Sequence, residues 1–400
     1  MRFTRKSRAR IREKGKRVAI VGGGPAGLYA AGGLASEGYE VQVIDMLPEP
    51  GGLIVSGIPD LRMDKSVVRE AVDDLVKAGV GFRLGTKVGQ DLSLKAVLDA
   101  YDATLIATGT WKSTRLDAEG AGLAGLHYAL KYLVDYALAQ HGHEVELPDL
   151  RGRSVLVVGG GLTAVDACYV AREAGAEIMW FYRRSREQAP AREAEREEFD
   201  KLTREVDFCE LTQPTRFIGA QGRVEWVEAI KMRLGEPDSS GRPKPIPVEG
   251  SEFRRRVDYV LLALGELPTP PPGTEECGIE LNRETTCRAT PLMVAKTLAI
   301  PAPWVKQEYV AGLLTVPRAT LVMPRGQPVQ RGTVKVDSKF RTTREGVFAA
   351  GNVVDGPTQA GYASIEGMMA ARFVAEYLET GDWESERLGE VLGWEELIVG

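Results

Sequence analysis

The sequence predicts an α/β protein built from two Rossmann-like dinucleotide-binding domains, one inserted in the other. Three observations carry this. A β-branched apolar run, a glycine cluster and a small-residue helical segment follow one another twice, beginning at Arg17 and again at Arg153. The strand after the first copy ends in an acid, Asp45, and the strand after the second ends in Tyr182-Arg183-Arg184. The strand-then-glycine pattern resumes near the other end of the chain, at Gly346-Val-Phe-Ala-Ala-Gly351.

In the first copy, Val18 to Val21 reads as a buried strand, and Pro25 to Ser36 as the helix that follows. Gly22, Gly24 and Gly27 fill the G-x-G-x-x-G spacing, with Pro25 and Ala26 between them. The first glycine permits the tight turn, the second lets backbone approach a pyrophosphate, and the third lets helix and strand pack closely. The helix N-terminus then offers unpaired N–H groups and partial positive charge to phosphates. Glu40 to Asp45 is the second strand, and its carboxylate stands where a ribose hydroxyl is expected to donate.

Leu47-Pro-Glu-Pro-Gly51-Gly52-Leu53 is too rich in Pro and Gly for regular structure and leads to Gly57-Ile58-Pro59. Lys65 to Ala78 has helical periodicity, with Val68, Val72, Leu75 and Val76 on one side. A strand at Gly81–Leu84, a helix at Leu94–Ala100 and a buried strand from Ala103 towards Gly109 complete the first half-domain.

The second copy, Ser154 to Ala164, is G-x-G-x-x-A: Gly159, Gly161 and Ala164, with Thr163 in the helix start. Glu177 to Tyr182 is its next strand. Arg183 and Arg184 replace the acid, and a planar guanidinium suits a 2′-phosphate where an acid suits a free 2′-hydroxyl. A charge-assisted contact of this kind is worth roughly 1.5–3 kcal/mol, or about 10–100-fold between NADPH and NADH. The asymmetry assigns FAD to the first unit and NADPH to the second. Pro190 to Val206 is a charged helical stretch, Gly222 to Leu234 alternates like a half-exposed strand, and Glu236 to Gly241 is a hairpin turn. Val257 to Gly265 is a buried strand ending in glycine. Thr333 to Asp337 and Gly346 to Ala350 read as strands, and about Tyr362 to Leu378 as a helix.

These features divide the chain into a basic arm at 1–15, an FAD domain at 16–115 and 332–380, and an NAD(P)H domain at 116–282. An inserted lobe at 283–331 and a tail at 381–400 complete it. The 44% hydrophobic and 27% charged content is that of an ordinary globular protein, and no apolar run approaches a membrane span. A net charge of -5 excludes a globally basic nucleic-acid binder. The basic residues of the arm have no apolar core among them, so the expected location is cytoplasmic. Cys168, Cys209, Cys277 and Cys287 form no C-x-x-C, which excludes a paired-thiol centre and ordinary metal spacing. Cys168 belongs in a helix core, and His141-Gly-His143 in a polar loop.

Taken together, the two glycine loops, Gly51-Gly-Leu53 with Gly57-Ile-Pro59, Ala107-Thr-Gly109, Tyr182-Arg-Arg184, Ala263-Leu-Gly265 and Val347-Phe-Ala-Ala-Gly351 resemble the small (β) subunit of NADPH-dependent glutamate synthase. That family belongs to the two-dinucleotide-domain flavoproteins, and Gly356-Pro-Thr358 is also similar to the adrenodoxin (ferredoxin–NADP) reductase relatives. The resemblance implies FAD contacts at Gly22, Gly24, Pro25, Gly27, Asp45, Gly52, Leu53, Gly109 and Gly351. It implies NADPH contacts at Gly161, Thr163, Ala164, Arg183 and Arg184. Asn352 stands where the family often has an acid, and is expected to meet the ribityl chain. The positive end of a helix beginning near Thr358–Gly361 is expected to favour an anionic reduced flavin. The implied activity is hydride transfer from NADPH to FAD. Onward electron transfer would go to a large catalytic subunit or an acidic ferredoxin, met by the basic arm or the lobe. A free-standing ferredoxin–NADP reductase and a non-catalytic assembly subunit are the alternatives.

Overall fold

The computed structural model describes residues 13–237, 242–284, 286–288, 327–358 and 360–384. The chain divides into two compact units. Of the described residues, those within 1–55, 64–112 and 267–400 form unit 1, and those within 56–63 and 113–266 form unit 2.

Unit 1 is organised on a five-stranded parallel sheet in the order Val347–Ala349, Ala103–Ile106, Arg17–Val21, Glu40–Ile44, Gly81–Arg83. Both faces are covered, which is why its strands read as unbroken apolar runs rather than as alternation. Val18, Ile20, Leu105 and Phe348 pack on one side with Leu34 and Val374, from the helices Pro25–Ser36 and Ala360–Thr380. Ala19, Val21, Ile106 and Val347 pack on the other side with Leu94, Ile279 and Val334. The two helices cross closely because the contact is made of small residues. A Cβ on Gly367 would lie 2.0 Å from the Ala26 carbonyl oxygen.

Unit 2 repeats the plan: Leu126–Tyr128, Tyr259–Leu262, Ser154–Val158, Glu177–Phe181, Asp207–Cys209, all parallel. Helices Ala129–Gln140, Leu162–Glu173 and Arg196–Glu205 cover one face. An antiparallel sheet covers the other, made of Thr212–Ala220, Arg223–Pro237, Pro243–Pro247 and Phe253–Arg256. Cys168 is fully buried in the first of these layers, and burial drives its thiol pKa well up, as suits a core residue.

Several boundaries differ from the sequence reading. Residues 267–282 lie with unit 1, where Ile279 is buried beside Ile106 and Val347. Residues 56–63 lie with unit 2: Arg62 donates to Asp166 and Glu195, and Asp60 stands 3.5 Å from His141. Among the described residues Thr333 to Asp337 forms no ladder, and the short segment opposite it supports a single bridge, Leu281 to Val334. The helix Ala129–Gln140 and the strand Thr212–Ala220 were not anticipated. Trp383, at the start of the tail, packs edge-on against Phe348 and Tyr377, each 5.2 Å away. Most of the basic arm, the hairpin turn 238–241, residues 289–326 of the lobe and 385–400 of the tail lie outside the described residues.

Candidate functional site

Each unit carries one cradle at the carboxyl ends of its parallel strands, and the two share one construction. In unit 1 the Gly22 N–H donates to Ile44 O at 2.8 Å. Gly22 has φ +113°, and a Cβ there would sit 2.3 Å from the Ala107 carbonyl oxygen. Gly27 is forced in the same way, since its Cβ would lie 1.9 Å from Gly22 O. Gly24, the helix N-cap before Pro25, is different: nothing but Gly52 Cα comes within 4 Å of its Cβ position. The protein's own packing does not require glycine there, whereas a ligand lying over the helix N-terminus would.

Asp45 is 7% exposed, and its two oxygens accept from the backbone N–H groups of Gly23 and Leu47, the latter at 2.7 Å. Burial raises its pKa, and the two N–H bonds pull the other way. The carboxylate therefore fixes the glycine loop from below. Gly51 N–H donates to Gly23 O at 2.7 Å, and Gly52 (φ +57°) lies against Gly24. The helical turn Leu53–Ser56 starts there.

Gly351 (φ +76°) meets Ala26, and its N–H donates to Glu366 Oε2 at 2.8 Å. Asn352 Oδ1 accepts from Thr358 Oγ1 at 2.7 Å, closing the loop before Ala360–Thr380. Gly109 (φ +70°) ends the Ala103–Gly109 segment, where Thr108 Oγ1 donates to Thr269 O at 2.8 Å. Glu366, 2% exposed, was missed by sequence reasoning. The only signal is an acid set among the small residues of a helix.

In unit 2, Gly159 (φ +147°) donates to Phe181 O at 3.0 Å, and its Cβ would lie 2.1 Å from Ala263 O. Gly159 thus corresponds to Gly22, Ala263 to Ala107, and Tyr182 to Asp45. At Gly161, as at Gly24, no atom lies near the Cβ position; here nothing comes within 4 Å. Ala164 is fully buried where unit 1 needs glycine. Thr163 is hydrogen-bonded to Glu266, whose pKa burial raises. The Trp180 indole donates to Gly159 O at 2.7 Å. The Tyr182 ring covers Gly160, whose Cβ would be 2.2 Å from it, and the phenol donates to Gln188 O at 2.7 Å.

Arg183 and Arg184, expected to act together, are treated differently by the fold. Arg183 is exposed. Arg184 is 3% exposed, and its Nε donates to Pro243 O at 2.9 Å. Burial raises the Tyr182 pKa, while the positive charges of Arg184, Arg242 and Arg183 draw it down. Arg242 had no signal in the sequence, since only the hairpin brings it here.

The cradles fit a dinucleotide. Both leave an open position over a helix N-terminus, and neither helix carries an acid in its first turn to neutralise it. Among the described residues no group of His, Cys, Asp or Glu is placed to hold a metal, and no helix is long and apolar enough to cross a membrane.

Residues 16–293 match the pyridine nucleotide-disulphide oxidoreductase family. The chain is 33% identical over 372 residues to the glutamate synthase [NADPH] small chain of Halomonas elongata, covering 91% of this chain and 68% of that one. It is 34% identical over 373 residues to the NADPH-Fe(3+) oxidoreductase subunit beta of Geobacter sulfurreducens, 92% of this chain but 51% of that one. Mycobacterium tuberculosis FprA in complex with NADPH shares the fold, with a TM-score of 0.63 at 19% identity over 92% of this chain and 85% of FprA.

Proposed function

The chain belongs to the pyridine nucleotide-disulphide oxidoreductase family, an oxidoreductase with FAD and NADPH as its cofactors, and from that premise we propose that it passes electrons from NADPH to a separate protein partner in the cytoplasm. The observation that carries the reading is the asymmetry between two cradles of one design. Unit 1 presents a buried carboxylate at its strand end, and unit 2 a tyrosine ring with guanidinium groups.

When bound, NADPH supplies a hydride and FAD accepts it, and the protein supplies placement and electrostatics. In unit 1 the residues proposed to hold FAD are Gly22, Gly24, Pro25, Ala26, Gly27, Asp45, Gly52, Leu53, Gly109, Gly351, Asn352 and Thr358. Gly24 leaves room for a pyrophosphate over the N–H groups that follow Pro25. Asp45 accepts from the ribose while holding the loop. The 21-residue helix Ala360–Thr380 directs its positive end towards the Asn352–Thr358 loop, worth about 0.3–2 kcal/mol to a nearby anion. In unit 2, Gly159, Gly161, Thr163 and Ala164 shape the pyrophosphate seat, and Arg183 and Arg184 belong to the 2′-phosphate end.

The relatives from Halomonas and Geobacter are named as subunits, which supports an acceptor outside this chain. A large catalytic subunit or an acidic ferredoxin fits the reading. The test is anaerobic: the purified, yellow chain is bleached by NADPH, then mixed with ferredoxin or with proteins captured from its host. Reoxidation by such a protein within milliseconds to seconds is expected. If NADPH bleaches the flavin but only oxygen or small quinones restore the colour, the partner reading fails.

A further inference from the structure

Arg184 is spent on architecture. Its Nε–H is committed to the carbonyl of Pro243, the first residue of the strand Pro243–Pro247. That contact ties the end of Glu177–Phe181 to the returning limb of the long hairpin. The residue immediately before Pro243 is Arg242, which is exposed. Because the Pro243 carbonyl is bonded to Arg184 at 2.9 Å, the hairpin limb brings its neighbour Arg242 to the strand end proposed to read a coenzyme ribose. The positive charge of Arg242 accordingly draws the Tyr182 pKa down against burial. Tyr182 itself puts a ring, with its hydroxyl donating to Gln188 O, where unit 1 has a carboxylate. An incoming phosphate therefore meets no anion in that place.

We infer that Arg242, reached through the hairpin, is a specificity-determining residue that grips the 2′-phosphate of NADPH beside Arg183. Arg184 is the positioning residue that holds the Arg242 limb in place. The inference rests on the reading of unit 2 as the NADPH domain. It also gives the antiparallel sheet a task beyond covering one face of the parallel one.

The experiment measures equilibrium binding of NADP+ and NAD+ to the flavin-loaded full chain, the oxidised coenzymes being used so that no turnover intervenes. Arg242→Ala is expected to weaken NADP+ by about 10–100-fold and to leave NAD+ within about two-fold, the size of one lost charge-assisted contact. Arg184→Ala is expected to weaken NADP+ as well, and adding Arg242→Ala to it should cost less than about three-fold more, because the bond that sets Arg242 at the strand end is already gone even though the limb stays paired with Arg223–Pro237. In an Arg183→Ala background, by contrast, the full Arg242 effect should remain. Arg184→Lys replaces Arg184→Ala if a thermal melt shows the latter unfolded. Unchanged NADP+ binding in Arg242→Ala, equal loss of both coenzymes, or full additivity with Arg184→Ala overturns the inference. A wild-type chain that binds NAD+ as tightly as NADP+ overturns the NADPH reading itself, whatever Arg242 does.

Discussion

Tyr182 and Asp45 occupy one position in two cradles, and their chemistry diverges there. Tyr182→Asp puts an acceptor back beside the ribose and an anion beside any 2′-phosphate. NAD+ should then bind about 10-fold tighter and NADP+ about 10-fold weaker, with a lower melting temperature from the ring lost over Gly160. Parallel loss of both coenzymes would assign the ring to structure alone. Asp45 carries a pH signature. Because burial raises its folded pKa above the ordinary 3.8, the folded chain binds this proton more tightly than the unfolded one. The group's stabilisation is therefore full below pH 3.8 and declines as pH rises from there through the raised folded value. Denaturant titrations should show the stability of wild type relative to Asp45→Asn falling across that window, and a flat difference would contradict the assignment. At this scale the sequence was legible where a residue type is forced, as at Gly22, Gly27 and Gly159. It was opaque for Glu366 and Arg242, because each reaches its site only through a distant element, a long helix in one case and a hairpin in the other.

The strand–glycine–helix element separates two reasons for a glycine. At Gly27 a methyl group would strike Gly22 O, and at Gly367 it would strike Ala26 O. Alanine at either is expected to cost several kcal/mol and to release the flavin with the fold, as an overpacked core does. At Gly24 the methyl group meets only Gly52 Cα, at an ordinary contact distance of 3.9 Å, and at Gly161 it meets nothing within 4 Å. Gly24→Ala should therefore melt within a few degrees of wild type yet bind FAD at least about 10-fold more weakly. Gly161→Ala should do the same for NADP+ while keeping its flavin. Normal cofactor binding in both would mean that neither open position faces a phosphate. Helices and buried strands in these elements were legible because parallel strands covered on both faces leave apolar runs bounded by glycine. The expected strand at Thr333–Asp337 failed for a physical reason as well: alternation and β-branching were present, but among the described residues it has one bridging partner, Leu281, and no strand to pair with.

For the whole molecule, the least legible feature was the crossing of the segment 56–63 into unit 2, because nothing local announces which core a loop will join. Its anchor is Arg62, 13% exposed, on the buried Asp166 and the half-exposed Glu195. Arg62→Ala leaves Asp166 without its guanidinium and is expected to destabilise unit 2 by about 3 kcal/mol, towards the low end for a broken buried pair because Glu195 keeps contact with water. A chemical-denaturation midpoint unchanged by that substitution would show the contact to be incidental. The order of the strands has a separate consequence for how the protein is made. Unit 2 is complete once residue 266 has been added, whereas the fifth strand of unit 1 is Val347–Ala349 and its closing helix ends at Thr380. On the ribosome the inner unit can therefore mature while the outer sheet still waits with Ala103–Ile106 as a raw edge. Nascent chains halted near residue 320 should shelter the inner unit from protease and leave the outer one open to it.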